Sequence, residues 1–227
     1  MGLYVEAEPL LNVAVDGFRA SLGENHPSTF TATNNLALLF MDKGEYTQAR
    51  PLLEQALTGQ RLTLGAMHPD TLASLGNLGL LRYNEGNLME ALPLLEESLK
   101  GKRSVLGPRH PSTLNAMYNL GVLFEAQGRP AEAEVLLRET LMLQKAVLGE
   151  YSPQARDAAS WLMIVLTKQG KAVEAEEMKT EMRNLRQSKK NHDKRRKVIR
   201  RNLKHVARQS QSRDSVLVQF DSPDVSI

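Results

Sequence analysis

Three of the five histidines, His26, His68 and His110, recur at intervals of 42 residues, and each is followed by proline. Imidazole is the commonest metal ligand and general base in proteins, so three in register would make a metal site or proton relay if the fold brought them together. Metal-bound nitrogens lie about 2.1 Å from their ion. If each 42-residue unit holds two packed helices, copies of one position stand roughly 16–20 Å apart, and the histidines cannot share an ion. Their expected role is a ring that fixes the loop entering a helix. The acid pairs Glu96-Glu97 and Glu176-Glu177 fall on predicted helix surface, where solvated charge is expected. No glycine-rich phosphate loop, His-Glu-x-x-His, Gly-x-Ser-x-Gly or suitably placed Ser-x-x-Lys occurs. Cysteine is absent, which excludes disulfides, thiolate zinc and thiol nucleophiles. The chain is expected to be no enzyme, with no cofactor and no metal.

Asparagine offers a different chemistry. Asn35, Asn77 and Asn119 share the same period and stand in the middle of predicted helices, where Asn is worse than Ala by several tenths of a kcal/mol. A primary amide both donates and accepts, so each could bond a neighbouring helix or loop, or the backbone of an extended peptide lying across the helices. Periodicity leaves both uses open.

Charge supplies a third. Residues 1 to 182 carry 16 Lys and Arg against 22 Asp and Glu, whereas residues 183 to 227 carry 13 against 4. From Arg183 to Arg208 there are twelve basic residues and one acid, Asp193. Val198, Ile199, Leu203 and Val206 have helical spacing, so Lys194 to Arg208 fits a basic amphipathic helix or a solvated tail. Lys189, Lys190, Lys194, Arg195, Arg196 and Lys197, with Arg200 and Arg201, also fit an import signal read by an importin, or a polyanion contact with nucleic acid or an acidic surface. No aromatic lies between Trp161 and Phe220, so stacking on bases is not expected and any nucleic-acid contact would be to phosphate.

The elements that position these groups follow from self-similarity. Leu22-Gly-Glu-Asn-His-Pro27, Leu64-Gly-Ala-Met-His-Pro69, Leu106-Gly-Pro-Arg-His-Pro111 and Leu148-Gly-Glu-Tyr-Ser-Pro153 align at a period of 42. Gly44, Gly86, Gly128 and Gly170, and Ala7, Ala49, Ala91, Ala133 and Ala175, keep the same spacing. Each unit reads as two helices. Proline after the histidine suits a first helical turn, whose N–H groups lack intrahelical partners. In the first full unit helix A is expected from about Ser28 to Lys43, burying Thr33, Leu36, Ala37 and Phe40, with Gly44 as its stop. Helix B is expected from about Tyr46 to Leu64, burying Ala49, Leu52, Leu53, Ala56 and Leu57. Tyr4 to Ala20 reads as a helix B without its helix A, which suggests a fragment. The fourth unit is degraded, with Trp161 in the Asn column, Met163 in a small-residue column and Lys179 in a Leu column. Arg82, in the column of Phe40 and Phe124, is expected to pack its stem and send its guanidinium to water.

Small residues at Ala37, Gly79 and Gly121 and at Ala49, Ala91 and Ala133, joined by Leu-Gly-x-x-His-Pro, make the pattern similar to the tetratricopeptide repeat in its 42-residue form, as in kinesin light chains and nephrocystin-like proteins. Asn34-Asn35-Leu-Ala-Leu-Leu-Phe40 with Lys43-Gly-Glu-Tyr-Thr-Gln-Ala49 resembles the kinesin light chain pattern in particular. The resemblance implies an all-α, right-handed helix-turn-helix solenoid with a basic C-terminal tail. Its expected divisions are a half repeat over 1–25, repeats over 26–67, 68–109 and 110–151, a degenerate cap over 152–186 and the tail over 187–227. It also implies an adaptor or scaffold that binds proteins or peptides in its concave groove. On that reading Asn35, Asn77 and Asn119, beside Asn34, form an amide ladder over Leu38, Leu80 and Val122, rimmed by Tyr83, Asn84 and Tyr118. Lys102 would meet an acidic side chain of the ligand. The alternatives are polyanion binding by the tail, with the repeats as spacer, and a regulatory fragment of a larger enzyme or signalling protein. The longest apolar runs are six residues, so no transmembrane segment is expected and the cytoplasm, or the nucleus through the tail, is the expected location.

Overall fold

The computed structural model describes residues 2–150, 152–184, 194 and 197, with side chains from residue 6 onward. Its helices are α1 (Gly2–Leu22), α2 (Pro27–Asp42), α3 (Tyr46–Thr63), α4 (Pro69–Asn84), α5 (Leu88–Leu106), α6 (Pro111–Ala126), α7 (Pro130–Leu148) and α8 (Pro153–Lys168). Residues 172–184 are also helical, and no strand occurs among the described residues. The chain divides into two compact units, Met1–Met178 and Lys179–Ile227. Within the first, each helix packs on its neighbours in the chain and each A helix touches the next, α2 on α4, α4 on α6 and α6 on α8. The all-α repeat solenoid expected from the sequence is what the molecule shows.

Local chemistry sets the helix ends. His26, His68 and His110 stand at the N-caps of α2, α4 and α6, each accepting through Nδ1 from the backbone N–H two residues on, at 3.2 Å. Ser152 does the same for α8 through Oγ, which accepts from the Ala155 N–H at 3.2 Å. The ring therefore does the work of a capping hydroxyl, satisfying an N–H that the helix cannot. At the other end of α2, Gly44 takes φ 76°, its N–H donates to the Met41 carbonyl and the Glu45 N–H donates to the Phe40 carbonyl at 2.8 Å. That 6→1 and 5→2 pair is a Schellman turn, repeated after α4, α6 and α8.

Packing follows the columns. Thr33, Leu36, Ala37 and Phe40 are buried, as are Ala49, Leu53, Ala56 and Leu57, while Leu52 is half-buried. Within each pair the helices approach until side chain meets backbone: a Cβ on Gly79 would lie 2.8 Å from Leu95 Cδ2, and one on Gly121 2.9 Å from Leu137 Cδ2. A second column is tighter still, because a Cβ on Gly59 would lie 2.0 Å from the Phe30 ring and one on Gly101 2.4 Å from Leu72. The same column in α1 is Gly17, with no atom within 4 Å of that position. In keeping with this open space, Leu10 and Val13 of α1 are 70% exposed.

Ion pairs join successive repeats. Arg61 reaches Glu97 at 3.2 Å and Arg103 reaches Glu139 at 3.3 Å, both across 36 residues, forming two rungs of one ladder. Arg82 departs from expectation. Its guanidinium does not go to water but meets Glu85 at 3.2 Å, Glu54 at 3.3 Å and Glu90 at 3.4 Å. Glu85 is itself bound by Arg50 at 2.5 Å. A largely buried cation needs paired charge, and carboxylates from three neighbouring segments supply it.

Candidate functional site

The amide column does not form three equal rungs. Asn35 is exposed, whereas Asn77 and Asn119 are half-buried on the same face of α4 and α6. Asn34, one residue earlier, is 7% exposed, and its Oδ1 accepts from Asn77 Nδ2 and Ser74 Oγ, both at 3.1 Å. Asn34 is thus occupied in joining α2 to α4 rather than offered to a ligand. Its carboxamide oxygen is buried, and two donors from the next A helix satisfy it.

The counterparts of Asn34 are Gly76 and Tyr118. Two repeats along from Asn34, Tyr118 interacts with Trp161 of α8. Burial pushes its hydroxyl above the usual tyrosine range, helped by the nearby Asp157 carboxylate and opposed by the Trp161 bond. Gly76 has no side chain to reach Asn119, which makes no hydrogen bond among the described residues.

At that middle junction a cavity of about 360 Å³ opens across α4, α6 and α8. Asn77 and Leu80 line it from α4, Tyr118, Asn119 and Asn115 from α6, and Gln154 with Asp157 from the exposed rim of α8. Lys102 of α5 and Gln144 of α7 complete the lining from the B helices. Both are buried, at 8% and 1% exposure. Burial alone holds the Lys102 amine below the usual lysine range, and no carboxylate pairs with it among the described residues. Gln144 Oε1 is buried and accepts no hydrogen bond. Gln144 Oε1 is thus desolvated without compensation, and the Lys102 amine lies partly desolvated beside it at the edge of one concavity.

Of the other residues expected in the groove, Leu38 is half-buried against the core around α2, and Tyr83 against the core around α6. Asn84 is exposed. Val122 is 8% exposed and has almost no surface to give a ligand, because α6 has drawn it into the packed interior. Gln144, Asn115, Gln154 and Asp157 were not anticipated. The signal for Gln144 was available, since Gln60, Lys102 and Gln144 form a polar column of period 42 on the apolar side of helix B. In the tail, Lys194 and Lys197 are helical and exposed, while Lys189, Lys190, Arg195, Arg196, Arg200 and Arg201 lie outside the described residues. Among the described residues no helix is long and apolar enough to cross a membrane.

Comparison with known proteins agrees with this geometry. The tetratricopeptide repeat family profile matches residues 1–61, 28–85 and 70–146. The crystal structure of nearly identical TPR-like repeats, assigned to a kinesin light chain of Podosopora anserina, is 30% identical and covers 80% of this chain and 86% of its own, with a TM-score of 0.65. BtubC (BKLC) from P. vanneervenii, 19% identical, matches with a TM-score of 0.72 over 82% of this chain and 74% of that one, which bears on fold alone. So does a Rap protein complexed with competence and sporulation factor, at 18% identity and a TM-score of 0.59 over 77% of this chain and 49% of that one. No curated protein matches. With the family profile spanning most of the chain, and the 42-residue helix pairs and their caps in view, the chain belongs to the tetratricopeptide repeat family, in its kinesin light chain form.

Proposed function

We propose that the chain is a non-catalytic interaction module, an adaptor or scaffold that holds an extended segment of a partner protein across the A helices α4, α6 and α8. The observation that carries this reading is the cavity lined by Lys102, whose amine has no carboxylate beside it among the described residues, and by Gln144, whose buried Oε1 accepts no hydrogen bond. A buried polar group left unpaired costs about 1–3 kcal/mol, which a ligand bringing hydrogen-bonding groups recovers. Asn119 adds an amide that both donates and accepts, suited to the backbone of an extended chain. Leu80 and Tyr118 give apolar surface beside it.

The test is a pull-down after nuclease treatment with three forms of the protein: the intact chain, the Asn35→Ala/Asn119→Ala variant and the chain lacking residues 187–227. The double variant leaves the Asn34–Asn77 bond in place. Partners lost from it and kept by the shortened chain are the expected outcome. Partners kept by it and lost with the tail, in a salt-sensitive way, would move the function to polyanion binding.

A further inference from the structure

Helix α1 carries both halves of a contact that the fold makes elsewhere between two helices. In the paired repeats the glycine column of helix B is a hole that seats one bulky side chain of the antiparallel A helix: Gly59 lies against the Phe30 ring and Gly101 against Leu72. Gly17 continues that column with nothing near it, and Leu10, two turns earlier on the same stripe of the helix, is a bulky side chain left largely exposed. Val13 stands between them and is exposed to the same degree. The window around it is peculiar to α1. Pro9 to Val15 holds no charge, whereas the same seven positions carry Glu54 in α3, Glu96 and Glu97 in α5, and Arg138 and Glu139 in α7. Val13 itself occupies the column of Glu97 and Glu139, the acids that bind an arginine of the preceding repeat at 3.2 and 3.3 Å. A face that met water or another repeat of this series would keep a polar residue there, as α3 does with Gln55, so valine points to an apolar partner.

We propose that α1 is a self-association surface, on which α1 of a second copy of this chain lies antiparallel across a two-fold axis. With the axis passing between Val13 and Ala14, Leu10 of each copy faces Gly17 of the other. The interface that pairs helices within a repeat is thereby continued between copies: a bulky side chain fills a glycine hole, and symmetry makes the contact twice. Val13 of each copy packs at the centre. The uncharged window is the part of the helix that the axis brings together, so the contact desolvates no charge at its middle, while Glu6 and Asp16 lie outside it. Hole and side chain sit on one helix, which makes the face complementary to itself. One helix face per copy is a small interface, so the dimer is of the micromolar class or weaker. At lower concentration α1 is open and Gly17 contacts nothing, as in the single chain.

Sedimentation equilibrium of the intact chain, from about 1 μM to about 1 mM, reads the association. A monomer–dimer equilibrium is expected. Gly17→Leu, which fills the hole, and Val13→Glu, which restores the residue type of Glu97 and Glu139, should each raise the dissociation constant about tenfold or more. Both positions face open space in the single chain, so neither substitution disturbs the fold, which circular dichroism checks. Leu10→Gly should weaken the dimer in the same way. Joining Leu10→Gly to Gly17→Leu exchanges side chain and hole on one helix, and in the antiparallel pair it should return the constant to within about threefold of the intact chain. The chain lacking residues 187–227 should associate as the intact chain does. A chain that stays monomeric up to about 1 mM would overturn the proposal. So would a dimer indifferent to Val13→Glu and Gly17→Leu, one not restored by the exchange, or one lost with residues 187–227.

Discussion

Replacing Asn77 with Ala strips one of two donors from the buried Oδ1 of Asn34, whereas replacing Asn119 with Ala removes an amide that makes no hydrogen bond among the described residues. Asn77→Ala is expected to cost about 1 kcal/mol and Asn119→Ala no more than a few tenths, read from urea unfolding of each variant. Equal losses would mean that Asn119 has a structural partner. Lys102 gives a pH-dependent prediction. Burial lowers its amine below the ordinary lysine value of 10.5, so between the folded and unfolded values the unfolded chain binds more protons and stability rises with pH. Lys102→Met should therefore be the more stable form at neutral pH, with the advantage shrinking as the pH climbs towards 10.5. Unfolding curves of both proteins across that range check it, and a constant difference would contradict it. The sequence made the amides visible as a column but not their division of labour. That division depends on Asn34, Gly76 and Tyr118, which lie one position off the Asn column and act across a helix junction, where a comparison of like with like does not look.

At the scale of the helix, one glycine column separates packing from propensity. Gly59 lies against the Phe30 ring, so Gly59→Ala must displace an aromatic side chain and is expected to destabilise by about 1–3 kcal/mol. Gly17 faces open space in α1, and Gly17→Ala should stabilise by up to about 1 kcal/mol, the ordinary gain of Ala over Gly in a helix. Thermal melts of the two variants should move in opposite directions. Helix boundaries were legible because their signals are local: a capping ring, a proline in the first turn and a glycine with positive φ act within a few residues. Arg82 was not legible for the converse reason. Glu54 lies 28 residues before it and on another repeat, and only the packed pair brings that carboxylate to the guanidinium.

Across residues 1–178 the contacts are between near neighbours along the chain, so stability should behave as a sum of unit and junction contributions rather than as one all-or-none quantity. Leu137 is fully buried in α7, and Leu137→Ala is expected to cost about 2–5 kcal/mol. Hydrogen exchange should show the loss of protection centred on α6, α7 and α8, with α2 and α3 little changed, whereas uniform loss would indicate global cooperativity. The ladder of Arg61–Glu97 and Arg103–Glu139 extends this modularity to heredity. Each rung takes its cation from one repeat and its anion from the next, at a fixed separation of 36 residues. A crossover that removed one whole period of 42 would bring Arg61 opposite Glu139 at that same separation, so a shortened descendant inherits an intact rung. A deletion that is not a whole number of periods would break the helix register that the rung depends on, and the surface itself would favour offspring that differ by complete repeats.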